Sequence, residues 1–130
     1  LLMFILTWTF DSFAYLIGKK LGKTKILPTI SPKKSWEGFF GGYLFCILAG
    51  SLSYFVFEDY FNHISTLSYI LITIILPFTA TTGDFIESYY KRKAGVKDSG
   101  KIMPGHGGIL DRMDAFLITI PVIYIIINIT

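Results

Sequence analysis

Every basic side chain of this chain falls in one of two short windows. Six of the twelve lie at 19–34 and six at 91–112, and the other 92 residues contain no Lys or Arg at all. A water-soluble domain carries charge over its whole surface, roughly a quarter of its residues. Here only 16% are charged against 52% apolar, and the mean hydropathy is +0.57. Intrinsic disorder, a disulfide-rich secreted scaffold and an ordinary soluble enzyme are thereby excluded as readings. What remains is a polytopic membrane protein of the all-α class, because open sheet edges do not persist in lipid.

Four apolar stretches separate the windows: 1–18, 39–57, 67 to about 90, and 113–130. A hydrocarbon core about 30 Å thick needs about 20 helical residues, so each stretch is expected to span the bilayer. The windows carry net charges of +5 (19–37) and +3 (91–114), and the apolar remainder carries −5. Basic loops beside a bilayer face the cytoplasm. The segment 58–66 has two acids, a histidine and no Lys or Arg, which fits the opposite side. Gly38, Gly42, Cys46 and Gly50 recur every four residues and form a stripe for close helix approach, within or between protomers. Cys46 is a packing thiol. Pro77 is expected to kink the third span, and the polar run Thr79–Asp84 to break or widen it where it lines a cavity. The chain starts inside an apolar run and is read as one membrane-embedded catalytic domain, 1–130, the C-terminal portion of a longer chain with further N-terminal spans.

Ionisable groups in membrane segments are costly and point to function. Asp11 and Asp84 lie eight and seven residues before Lys19 and Lys91, or about 12 and 10 Å along a helix. Asp111 and Asp114 open the last span. These acids share one interface, at the depth of lipid phosphates, which favours headgroup chemistry over a transmembrane ion path. Asp111 and Asp114, like Asp84 and Glu87, are three apart and share a helix face. Hard oxygen ligands without a His or Cys cluster suit Mg²⁺. Salt bridges from these acids to adjacent Lys and Arg are the alternative. Between Lys97 and Arg112, three glycines around His106 lead into a helix start. They offer amide donors to a phosphate, with Lys97, Lys101 and Arg112 adding charge, or they form a plain turn. Ser35 is the expected N-cap of the second span and Trp36 an interfacial anchor. The window holding Lys33 and Lys34 is either a phosphate site or a positive-inside anchor.

Several runs closely resemble the signature of CDP-diacylglycerol synthases, the phosphatidate cytidylyltransferases. They are Ser88-Tyr89-Tyr90-Lys91-Arg92, Lys97-Asp98-Ser99-Gly100, and Pro104-Gly105-His106-Gly107-Gly108-Ile109-Leu110-Asp111-Arg112-Met113-Asp114. Asp11-Ser12-Phe13-Ala14-Tyr15, Gly18, Gly22 and Ser31-Pro32-Lys33-Lys34-Ser35-Trp36-Glu37-Gly38 are similar to further blocks of that family. Tyr90 departs from it, standing where the family has Phe or an aliphatic residue. The Lys-Asp-Ser-Gly form resembles the bacterial branch.

The resemblance implies transfer of a cytidylyl group from CTP to phosphatidate, giving CDP-diacylglycerol and pyrophosphate, in a bacterial plasma membrane with the site on the cytoplasmic side. It implies Mg²⁺ on Asp84, Asp111 and Asp114, with a second, monovalent cation left open. Lys97 and Arg112 join these acids in the catalytic set. Asp11, Ser31, Lys33, Lys34, Lys91, Arg92, Asp98, His106, Gly107 and Gly108 form the substrate-binding set, His106 as an orienter rather than a base. It also implies a homodimer and no nucleic-acid partner. A CDP-alcohol phosphotransferase would show a different span-embedded series of acids, and a cation-coupled transporter would hold its carboxylates at the midplane.

Overall fold

The computed structural model describes residues 1–57, 64–96 and 110–130, with the side chains of 110–114 outside the description. Four long helices and one small hairpin make up the described chain: α1 (Leu2–Leu21), β1 (Lys25–Leu27), β2 (Ser31–Ser35), α2 (Trp36–Val56), α3 (Thr66–Lys93) and α4 (Leu110–Ile129). The helices fall on the four apolar stretches. At a rise of about 1.5 Å per residue, each is about 30 Å or longer. Of the four, α2 and α3 are long and apolar enough to cross a membrane, while the described apolar part of α4, Ala115–Ile129, is shorter.

The helices pack as antiparallel neighbours, chiefly α1 on α2 and α3 on α4. Packing of α1 on α2 follows from the small-residue stripe. Gly38, Gly42, Cys46 and Gly50 are all buried, the first three against α1 and Gly50 against Thr73 of α3. The Cys46 thiol faces the Leu6 carbonyl at 3.8 Å. The stripe is therefore filled from within the chain. Two residues away, and so on the opposite face of the same helix, Phe40, Leu44, Leu48 and Leu52 are exposed. One side of α2 is shaped for a helix and the other presents only bulky hydrocarbon, as a lipid-facing helix does.

Leu6, Phe10, Phe39, Ile72 and Leu76 form the centre of the core. At the end away from the hairpin, the Tyr69 hydroxyl lies 2.7 Å from Ser53 Oγ and donates to the Gly50 carbonyl at 2.9 Å. Between α3 and α4, Thr79 Oγ1 lies 3.0 Å from Thr119 Oγ1, and Ser68 bonds Thr130 near the opposite ends.

Two expectations need correction. The run Thr79–Asp84 neither breaks nor widens α3, which stays α-helical from Thr66 to Lys93 through Pro77. Two of its three hydroxyls turn onto the helix backbone: Thr79 donates to the Leu76 carbonyl at 2.9 Å and Thr82 to the Phe78 carbonyl at 2.7 Å. Side-chain donors thus meet carbonyls of the proline turn, so the polar residues need no gap in the helix. The first basic window is also not all loop, since it contains an antiparallel β-hairpin pairing Lys25 with Ser35 and Leu27 with Ser31 in irregular register. Pro32 is tolerated because a two-stranded ribbon has only edge strands.

Candidate active site

The hairpin is fixed to the bundle at both of its ends. Ser35 caps α2, its Oγ accepting the Gly38 N–H at 3.2 Å, as the sequence suggested. The Glu37 carboxylate accepts the Thr24 N–H at 3.0 and 3.2 Å, and the Trp36 N–H donates to the Thr24 carbonyl at 3.0 Å. Close approach of α1 and α2 leaves room for this fold-back. A Cβ at Gly38 would stand 2.6 Å from the Ala14 carbonyl oxygen. Glycine here is a steric requirement.

Beneath the hairpin lies a cavity of about 290 Å³. Asp11 and Tyr15 of α1, Ser31, Lys33 and Lys34 of the hairpin, and Thr81 of α3 supply its polar lining. Phe10, Ala14, Ile26 and Phe39 supply its apolar part, where Phe10 meets Phe39 edge to face at 5.7 Å between centroids. Four residues of the expected substrate-binding set, Asp11, Ser31, Lys33 and Lys34, thus line one cavity although twenty residues separate Asp11 from Ser31 in sequence. Asp84 joins them through an ion pair with Lys34 across 50 residues of chain. Lys34 Nζ also lies 5.1 Å from the centre of the Phe85 ring. The basic window thus supplies both cavity lining and an ion pair to the bundle.

Lys91 and Arg92 sit about two turns beyond Asp84 on α3. Lys91 Nζ lies 3.3 Å from Oε1 of the buried Glu87. Lys97, Asp98, His106, Gly107 and Gly108, and the side chains of Asp111, Arg112 and Asp114, lie outside the described residues. The helix that bears Asp111 and Asp114 is described, and its register is informative. With Thr79 opposite Thr119 and Ser68 opposite Thr130, equal rise along two antiparallel helices brings backbone position 84 level with 114, and 87 level with 111.

The sequence reading passed over Phe10, named Tyr15 only within a family block and Thr81 only within a polar run expected to line a cavity, and noted Glu87 only for its spacing from Asp84. Thr81 could have been found, since it is three residues before Asp84 and shares its helix face. Nothing local in the sequence marks Phe10 apart from its closeness to Asp11.

These features define a helical membrane protein with a largely apolar cavity, edged by Asp11, Lys33 and Lys34, at one end of its bundle. The chain matches the model of the cytidylyltransferase family over residues 1–130, and it belongs to that family. It is 47% identical over 124 residues to the phosphatidate cytidylyltransferase of Staphylococcus aureus, covering 95% of this chain and 46% of that protein. With the Staphylococcus saprophyticus protein of the same name it shares 46% identity over 127 residues, covering 98% of this chain and 48% of the relative. The chain spans about half the length of these relatives. A solved intramembrane enzyme of archaeal membrane-lipid biosynthesis shares the fold, with a TM-score of 0.58 at 19% identity, over 95% of this chain and 79% of the other.

Proposed function

We propose that the protein transfers a cytidylyl group from CTP to phosphatidate, releasing pyrophosphate and leaving CDP-diacylglycerol in the membrane. The observation that carries this reading is the cavity under the hairpin. It joins two lysines and a serine to an apolar wall at one end of a lipid-facing bundle, which suits a molecule with a phosphate head and a hydrocarbon body. In this reading all four helices cross the bilayer, and both basic windows face the cytoplasm of a bacterial plasma membrane. The assembly is a homodimer that uses faces other than the small-residue stripe.

A phosphatidate phosphate oxygen attacks the α-phosphorus of CTP, forming a new P–O–P link as the bond to the β-phosphate breaks and pyrophosphate departs. The nucleophile is already anionic at neutral pH, so no strong general base is required. Lys33 and Lys34 bind phosphate oxygens as point charges and Ser31 donates a hydrogen bond. Lys91, Arg92, Lys97 and Arg112 add positive charge toward the triphosphate, and His106, Gly107 and Gly108 complete the substrate-binding set, His106 as an orienter rather than a base.

Among the described residues no three acidic, His or Cys side chains gather as a metal cage. Carboxylates are hard oxygen donors of the kind Mg²⁺ takes, and backbone positions 84 and 114 are level on adjacent antiparallel helices, which supports the reading. Asp84, Asp111 and Asp114 would hold the ion. When bound, the ion neutralises charge on the triphosphate.

The test is product analysis. The full-length protein in phosphatidate-containing vesicles should convert labelled CTP into a lipid-soluble cytidylyl product and release pyrophosphate. Cation flux without such a product would support the transporter reading and overturn this one.

A further inference from the structure

Lys34 lines the phosphate cavity and also forms the ion pair with Asp84. One residue is therefore shared by the two halves of the proposed chemistry. We propose that Lys34 is a placeholder cation: its ammonium holds the Asp84 carboxylate while the site is empty, and a divalent ion arriving at Asp84 releases it into the cavity to meet a phosphate. This rests on the reading of Asp84 as a metal ligand.

Three observations support the exchange. First, the Lys34 and Asp84 side chains are only 31% and 20% exposed. Asp84 therefore gains much from a counter-cation, because a shielded carboxylate is poorly solvated. Second, an ammonium and a divalent ion on one carboxylate stand within about 4 Å of each other and repel strongly. Occupancy by one disfavours the other. Third, the geometry gives the displaced ammonium somewhere to go. Lys34 sits on β2 at the cavity wall beside Lys33 and Ser31, and the strand is fixed through Ser35 and Glu37. Its flexible four-carbon stem can swing while the backbone stays in place. The metal and the phosphate bound in the cavity would then favour each other's binding by the same factor, as linkage requires.

The experiment uses the full-length protein in detergent without nucleotide, with Mn²⁺ as the probe and free Mn²⁺ counted by electron paramagnetic resonance. Lys34→Gln should tighten Mn²⁺ binding at least fivefold, while Lys34→Arg, which keeps the cation, should stay within twofold of wild type. If Lys34 were only a clamp, its loss would loosen the site and weaken Mn²⁺ binding, and an unchanged or weaker affinity in Lys34→Gln overturns the proposal. A second measurement needs no variant. Amine acetylation followed by mass spectrometry should show Lys34 reacting at least threefold faster in saturating Mg²⁺, with Lys33 changing less. Equal Lys34 rates with and without the ion also overturn it. Either failure leaves the cytidylyl-transfer reading standing. Unchanged Mn²⁺ affinity in Asp84→Asn overturns the proposal together with the assignment of the metal to Asp84.

Discussion

Gly42 offers a direct test of how the bundle is held. A methyl group there would stand 2.7 Å from the Phe10 carbonyl oxygen, 2.8 Å from Ala14 Cβ and 3.0 Å from the Ala14 nitrogen. Two of those atoms are backbone and cannot rotate away. Carbon atoms pack best at about 3.5–4.0 Å, so α1 and α2 must part by about 0.7 Å or more. A gap of about 0.5–1 Å forfeits a quarter to a half of each dispersion contact along the seam, including those at Gly38 and Cys46. Lipid supplies no hydrophobic force to recover them. Overpacking of this kind costs about 1–3 kcal/mol, and the better helix propensity of Ala returns about 1 kcal/mol. Gly42→Ala should therefore lower stability by up to about 2 kcal/mol, and Gly42→Leu by more. Thermal unfolding of the full-length protein in detergent reads the loss, with Leu44→Ala on the exposed face as a near-neutral control. Adding Ala14→Gly to Gly42→Ala should restore only part of it, because the Phe10 carbonyl remains. A Gly42→Leu protein as stable as wild type would refute the close-packed seam.

Two further outcomes are expected. Single cysteines at Lys23 and at Asn62, introduced after Cys46 is replaced, should react with impermeant thiol reagents from opposite sides of the membrane, and labelling of both from one side would overturn the topology. Tyr69→Phe removes a buried hydroxyl bonded to Ser53 and Gly50. It should cost about 1 kcal/mol in the same unfolding assay while leaving turnover per folded molecule unchanged.

How much of this could be read from the sequence depended on range. Helix positions were legible because the apolar runs match the bilayer length, and α1 to α4 follow them within a few residues. The Ser35 cap and the Gly38/Gly42/Cys46/Gly50 stripe were legible because each is a local pattern with a local cause. The hairpin was not. Its strands are short, Pro32 interrupts one of them, and the surrounding lysines mask any alternation. Nor was the continuity of α3 through Thr79–Asp84, since the sequence shows polar residues but not that their hydroxyls bond their own helix. The pairing of Lys34 with Asp84 is a tertiary fact that joins two segments no local pattern relates. That Lys33 and Lys34 line one cavity with Asp11 and Thr81 is a tertiary fact of the same kind.

The central claim is that the acids at the hairpin end support phosphoryl chemistry rather than the fold alone. Cytidylyl transfer from labelled CTP to phosphatidate, titrated with Mg²⁺ and normalised to folded protein, tests it most directly. Asp84→Asn and Asp111→Asn keep the side-chain volume and remove the charge. Each should slow transfer at least a hundredfold, about 2.7 kcal/mol of barrier, with Asp114→Asn falling between that loss and wild type. Near-normal turnover in both Asp84→Asn and Asp111→Asn, at the wild-type Mg²⁺ dependence, would contradict the account.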